Sequence, residues 1–195
     1  MSHPYEFCLS LPQWAVEENG RLPATLPTPE ARMAEVIRFS RLNFERGTGG
    51  PFAAGVFERA TGKPVVIGVN RVVPSNCSSA HAEVMTLSIA QQILGHYDLG
   101  GPGMPEYEFV VNWRPCAMCF GATLWSGIRA LVIAGSGPEL ETITGFDEGP
   151  IHPDWEAELA KRGIALHNNV LRDEAIAVYR DFARANSLVY NPRQG

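Results

Sequence analysis

The sequence predicts an α/β layered domain with a mixed sheet, on three observations. Segments of helical and of strand character alternate along the chain. Its 195 residues are 45% apolar and 19% charged, a mixture that buries a sizeable core in one domain rather than two. The 19 glycines and 15 prolines gather between the patterned segments, as they do in ordered loops.

Residues 1–27 are Pro-rich and weakly patterned, and read as an extension laid over the domain. Thr28-Pro29-Glu30 starts a helix: a capping hydroxyl, a proline at the first helical position and an acid on the positive end. Met33, Val36, Ile37 and Phe44 give it an apolar stripe, and Gly47 with Gly49-Gly50 ends it. Segments 53–58 and 64–70 read as a hairpin turning at Ala60-Thr61-Gly62. A polar loop leads to a helix over 79–94, closed by Gly95. A strand over 107–112 follows, and Pro115 opens a helix that runs to 126 and stops at Gly127. The strand over 129–134 is apolar throughout and so buried on both faces. Residues 135–153 read mostly as loop, 154–162 as helix, 164–167 as a last strand and 172–185 as a final helix. The expected organisation is an extension (1–27), the main domain (28–168), and a C-terminal helix with its tail (169–195).

Sixteen basic against 21 acidic residues give a net charge of −5. A nucleic-acid binder carries a basic stripe; none is present, so DNA and RNA are not expected partners. No apolar run reaches the length of a membrane span. The first 20 residues lack a basic start followed by an apolar run, so no signal peptide is expected and the cytoplasm is the expected location. Four cysteines, Cys8, Cys77, Cys116 and Cys119, then read as metal-binding or catalytic rather than disulfide-forming.

Two short segments carry chemistry: His81-Ala82-Glu83 and Pro115-Cys116-Ala117-Met118-Cys119. Both fall at expected helix N-termini, where open N–H groups and the helix dipole favour thiolate, the metal-binding form. Cys116 and Cys119, three apart, share one face of a helical turn. One imidazole and two thiolates are three protein ligands for Zn2+, leaving a fourth position for water whose pKa zinc lowers to about 7. Glu83 is then a carboxylate beside that water, able to take its proton and return it to a leaving group. Other readings stand beside this one. Cys77, four residues before His81, would close a structural Cys3His site and make the chain a structural-zinc interaction module. Cys116 and Cys119 alone would make a redox pair. Cys8 reads as an inert thiol, and His3, His96, His152 and His167 as ordinary surface or core histidines. Residues 47–50 form a turn and not a phosphate loop, since no Gly-Lys-Ser/Thr follows. Trp125 reads either as core packing or as a pocket wall.

The pairing of H-x-E with P-C-x-x-C is the signature of zinc deaminases, and on it the chain resembles the cytidine deaminase-like superfamily. Gly50-Pro51-Phe52-Ala53-Ala54, Gly68 through Val73, Ala80 through Leu87, Pro115 through Gly127 and Gly145 through Pro150 carry the likeness across roughly 28–190. Phe146-Asp147-Glu148-Gly149-Pro150 directs it within the superfamily to the small zinc-dependent guanine deaminases of bacteria. The resemblance implies a CMP/dCMP-type deaminase domain over 28–168, a three-layer α/β/α sandwich, a homodimer, and exchange of the C-terminal segment between subunits. It implies that Asn70 hydrogen-bonds the purine, where the residue alone reads as a turn former. It implies that Glu148 is a second catalytic acid, where the residue alone reads as a solvated loop acid. The expected substrate contacts are Asn70, Ala82, Trp113 and Trp125, and the expected reaction is guanine to xanthine plus ammonia. Cytosine, a nucleoside or an aminotriazine are the alternative amines. One departure bears on the pocket: Arg114 stands where the superfamily usually has Glu before Pro-Cys, preceded by Trp113 and Asn112 where small residues are usual.

Overall fold

The computed structural model describes Tyr5 and residues 7–193. Its elements are α1 (Gln13–Asn19), α2 (Pro29–Glu45), β1 (Ala53–Glu58), β2 (Pro64–Val69), α3 (Ala82–Leu94), β3 (Tyr107–Val111), α4 (Ala117–Trp125), β4 (Ala130–Ile133), α5 (Glu139–Thr144), α6 (Trp155–Lys161), β5 (Ala165–His167) and α7 (Arg172–Arg184). The strands form one sheet in the order β2-β1-β3-β4-β5. β1 is antiparallel to β2 and β3, whereas β3, β4 and β5 are parallel. The sheet is therefore mixed, as expected.

Strand alternation divides the core. Ala53 and Phe57 of β1, Val110 of β3 and Val132 of β4 face one cluster with α1, α2, α5 and α7. Ala54, Val56, Phe109, Val111, Leu131 and Ile133 face a second cluster with α3, α4 and α6. Helices thus cover both faces, which makes three layers. Both β2 and β3 run antiparallel to β1, so their C-terminal ends open on the same end of the sheet. The loops there lead into α3 and α4, and this is where α/β sheets gather sites.

Helix α2 starts as its sequence dictates: Thr28 Oγ1 accepts from the Ala31 N–H at 3.1 Å, with Pro29 in the first turn. Two helices escaped the sequence pattern, α1 and α5, of 7 and 6 residues. Each is too short to show a helical period, and tertiary packing decides it. Trp14 and Ala15 of α1 are buried in the main core, with the indole against Phe39 of α2. Asn19 closes the free edge of β2, its amide donating to the Ile67 carbonyl at 2.8 Å and accepting from the Ile67 N–H at 2.7 Å. Residues 13–26 thus pack closely on the domain; residues 1–4 and 6 lie outside the description. The C-terminal tail, for which exchange between subunits is expected, packs here against its own chain, Tyr190 resting on Phe146 with ring centroids 4.9 Å apart. Among the described residues no helix is long and apolar enough to cross a membrane.

A buried ion pair ties α2 to the sheet. Arg32, 4% exposed, donates to Glu108 Oε1 of β3 at 2.5 Å and to the carbonyls of Leu26 and Pro27. Removing one partner of a buried pair strands the other charge, at a cost of about 3–5 kcal/mol. Glu108→Ala is therefore expected to lose that much in urea unfolding, with the m-value unchanged. A loss under 1 kcal/mol would mean that the two carbonyls alone satisfy the guanidinium.

Candidate active site

His81 and Cys116 are the N-cap residues of α3 and α4, both in extended backbone conformation. The helices begin two or three residues later than the sequence pattern suggests, because these caps turn out of the helix. Neither makes a side-chain cap bond, so imidazole and thiol are free to face each other. His81 Nδ1 lies 3.6 Å from Cys116 Sγ, and the donor atoms of His81, Cys116 and Cys119 all fall within 4.8 Å of one another. A tetrahedral zinc with Zn–S near 2.3 Å and Zn–N near 2.0 Å separates its donors by about 3.5–3.8 Å. The spacing fits. Cys77 is outside the group, its Sγ 3.2 Å from Ser79 Oγ, so the closed Cys3His reading falls. Cys8 and the described histidines His96, His152 and His167 are exposed and separate from it, and His3 lies outside the description.

The charges at the site call for a cation. A hydrogen bond from Cys119, aided by His81 and opposed by burial, holds the Cys116 thiol down at about 4. Cys119 is pushed well above the ordinary thiol range, first by that Cys116 thiolate and then by burial. Burial pulls His81 down, but its bond to Cys116 and the charges of Glu83, Cys116 and Glu148 outweigh it and hold the imidazole at about 9. Without a metal, then, the cluster retains protons on Cys119 and His81. A dication replaces them.

Two carboxylates complete the polar set. Glu83, buried in the first turn of α3, is raised to about 6 by burial and then by the Cys116 charge. Glu148, in the loop after α5, is raised to about 8 by burial and then by the charges of Cys116 and Glu83. Its backbone carbonyl accepts from the Ala117 N–H at 3.1 Å, which fastens this loop to the start of α4. Both acids line one cavity of 430 Å³ with His81 and Cys116, and Phe52, Trp113 and Phe146 supply apolar wall.

The expected substrate contacts separate here. Asn70 is buried and is not itself a cavity wall, but it is bonded to two residues that are: its N–H donates to the Phe52 carbonyl, and its Oδ1 accepts from the N–H groups of Val72 and Gly50 at 3.2 and 3.4 Å. Its Nδ2 is shielded from solvent and has no partner among the described residues. Gly49 permits this arrangement, since a Cβ there would lie 2.1 Å from the Asn70 carbonyl oxygen. Ala82 is fully buried and is not a cavity wall. Trp113 lines the cavity but is seated in the core, 2% exposed, edge-on to Tyr179 and beneath the Arg172 guanidinium. Gly135 leaves room for the indole: a Cβ there would come within 2.5 Å of the ring. Trp125 is neither core nor pocket wall. It ends α4 at 84% exposure, because the α4 face toward the sheet is taken by Cys119 and Thr123. Arg114 borders the cavity, its Nη1 donating to the Ser136 carbonyl.

Sequence reasoning missed the tail. Tyr190 lines the cavity, and its hydroxyl is shielded from solvent without a hydrogen-bond partner among the described residues. Burial, then Glu148 and Glu83, push that phenol well above its ordinary range. Asn191 pins the loop that carries Glu148, accepting from the Asp147 N–H at 2.9 Å and donating to the Gly145 carbonyl at 2.7 Å. The one signal in the sequence was an apolar run, Leu188-Val189-Tyr190, inside a polar tail.

Residues 29–135 match the family described as the cytidine and deoxycytidylate deaminase zinc-binding region. A structure of guanine deaminase from Nitrosomonas europaea is 43% identical over 94% of this chain and 100% of its own, with a TM-score of 0.88. A variant of that organism's guanine deaminase NE0047, in complex with 8-azaguanine, is 44% identical over 95% and 100%, with a TM-score of 0.89. The guanine deaminase of Bacillus subtilis (strain 168) is 30% identical over 139 residues, 70% of this chain and 84% of that protein.

Proposed function

This chain belongs to the cytidine and deoxycytidylate deaminase zinc-binding family, and from that premise we propose that it hydrolyses guanine to xanthine and ammonia. It is a zinc-dependent, guanine deaminase-like aminohydrolase with the His-Cys-Cys metal site of its family. The observation that carries the substrate is Glu148 on the wall of the same cavity as His81, Cys116 and Glu83.

His81, Cys116 and Cys119 hold zinc, which when bound supplies a water acidified to about pKa 7. Glu83 takes the proton of the attacking water and passes it to the ring nitrogen beside the amine-bearing carbon. Glu148 faces the far side of the base. Its carboxyl oxygen accepts from the exocyclic amine, the proton that its raised pKa lets it hold goes to that amine, which leaves as ammonia, and the second proton of the water restores Glu148 as the C=O forms. Asn70 Nδ2 donates to an acceptor on the purine edge. The balance is one C–O bond formed, one C–N bond broken and one water consumed. Phe52, Phe146 and Trp113 exclude solvent around the ring.

Tyr190 adds a hydrogen bond to the bound base through its free hydroxyl. Losing one neutral bond costs about 0.5–1.5 kcal/mol, so Tyr190→Phe is expected to raise KM for guanine about 3- to 12-fold with kcat little changed. An unchanged KM in steady-state ammonia release would remove the residue from the site. The assembly we propose is a homodimer, supported by α4, which carries no charged residue and leaves Met118 and Trp125 exposed. The proposed location is the cytoplasm, in keeping with four free cysteines.

The deciding experiment measures ammonia release by zinc-loaded protein from guanine, guanosine, cytosine, cytidine, adenine and an aminotriazine. Guanine turnover well above the rest is the expected result. Turnover of another amine alone would keep the metal chemistry and overturn the base assignment.

A further inference from the structure

A second cavity, of 180 Å³, adjoins the catalytic one and shares Arg114 and Ala117 with it. Phe120 of α4 and Trp155 of α6 supply aromatic wall, and Pro150 and Ile151 supply apolar surface. An apolar cavity of about 150 Å³ holds benzene, so this one takes a single planar ring with a substituent. Its polar side chains, Arg114, His152 and the Trp155 indole, each offer an N–H. Arg114 is a permanent cation, and among the described residues it has no carboxylate partner: Nη1 meets only the Ser136 carbonyl, and Nε is shielded from solvent with no partner. His152 accepts the Asp154 N–H on Nδ1, which leaves its Nε2–H to donate. Among the described residues no acid lines this cavity, whereas the catalytic cavity holds Glu83, Asp147 and Glu148. The two neighbours thus differ in their acids, not in the cation they share.

We propose that this second cavity is a binding site for a small planar aromatic anion, a ring bearing a carboxylate or ionised oxo group. The ring packs against Trp155 and Phe120, and the anion meets Arg114 and His152. The catalytic cavity, with its acids, takes the neutral donor-rich amine instead. The site rests on its own walls and not on the identity of the nucleobase.

Calorimetric titration of zinc-loaded protein with benzoate, and with benzamide as its neutral isostere, tests this with and without saturating 8-azaguanine. Benzoate is expected to bind one per chain in both conditions, at least tenfold tighter than benzamide. Trp155→Ala and Arg114→Gln are each expected to weaken benzoate at least tenfold. Retained 8-azaguanine binding by Trp155→Ala shows that its fold is intact. Equal affinity for benzoate and benzamide, displacement of benzoate by 8-azaguanine, or no saturable binding would overturn the proposal. Failure of 8-azaguanine to bind counts against the nucleobase reading alone, and the benzoate titration without it still decides the anion site.

Discussion

Glu83→Gln is expected to lower kcat for guanine about 10⁴-fold while KM stays within threefold and zinc remains bound at one per chain. Glutamine matches glutamate in shape, so the first turn of α3 and the packing around this buried side chain persist. What is lost is the proton shuttle. A positioned acid or base contributes about 10²–10⁴ in rate, and Glu83 serves twice, taking the water's proton and delivering it to the ring. The upper end of that range is therefore the expectation. Its raised value of about 6 also belongs to the argument, since a carboxyl poised near neutrality exchanges a proton more readily than one at its ordinary value. Ammonia release gives kcat, and metal analysis of the same sample gives the zinc content. Turnover within tenfold of the parent, with zinc in place, would remove Glu83 from the proton path.

The parts of the site legible in the sequence are those whose geometry is local. Cys116 and Cys119 meet because one helical turn separates them, and His81 and Glu83 share a helix start. Spacing of this kind survives whatever the rest of the chain does. Glu148 and Asn70 came from resemblance, for nothing near them in sequence distinguishes a loop acid or a turn amide from a ligand contact. Tyr190 was not legible at all. It reaches the cavity because the tail after α7 returns to Phe146 and Asn191 fastens it to the loop at Gly145 and Asp147, contacts that no local pattern reports.

Trp113 and Trp125 show the same limit from the other side. Both are large apolar residues next to the motif, yet one is enclosed by Tyr179, Arg172 and the space left by Gly135, and the other is exposed. Burial depends on what another segment leaves open, which local pattern does not report. The fold class was easier because helical and strand segments alternate along the chain, and the unbroken apolar run of β4 encodes two covered faces directly. The helices that failed to register, α1 and α5, are those whose stability comes from packing rather than from period.

Stripping zinc with a chelator is expected to abolish ammonia release and lower Tm by about 10 °C without unfolding the protein at 25 °C. The fold persists because its two apolar clusters are built on the sheet and do not pass through the triad. This distinguishes it from small domains that the metal itself folds. Free zinc at 1,000 times its Kd stabilises the native state by about 4.1 kcal/mol. For a chain of this size each kcal/mol moves Tm by about 2–4 °C, so the shift follows. Protons report the same event. At pH 7 the metal-free cluster holds one on Cys119, far above its ordinary range, and one on His81 at about 9, while Cys116 at about 4 is already thiolate. Binding by a neutral imidazole and two thiolates therefore releases about two protons per zinc, and affinity falls as pH is lowered from 9 toward 4. Calorimetry in buffers of different ionisation enthalpy counts those protons directly. Release near zero would mean that the triad does not bind zinc through the protonated Cys119 and His81. Cys119→Ala, left with two ligands, is expected to lose both the thermal shift and the proton release.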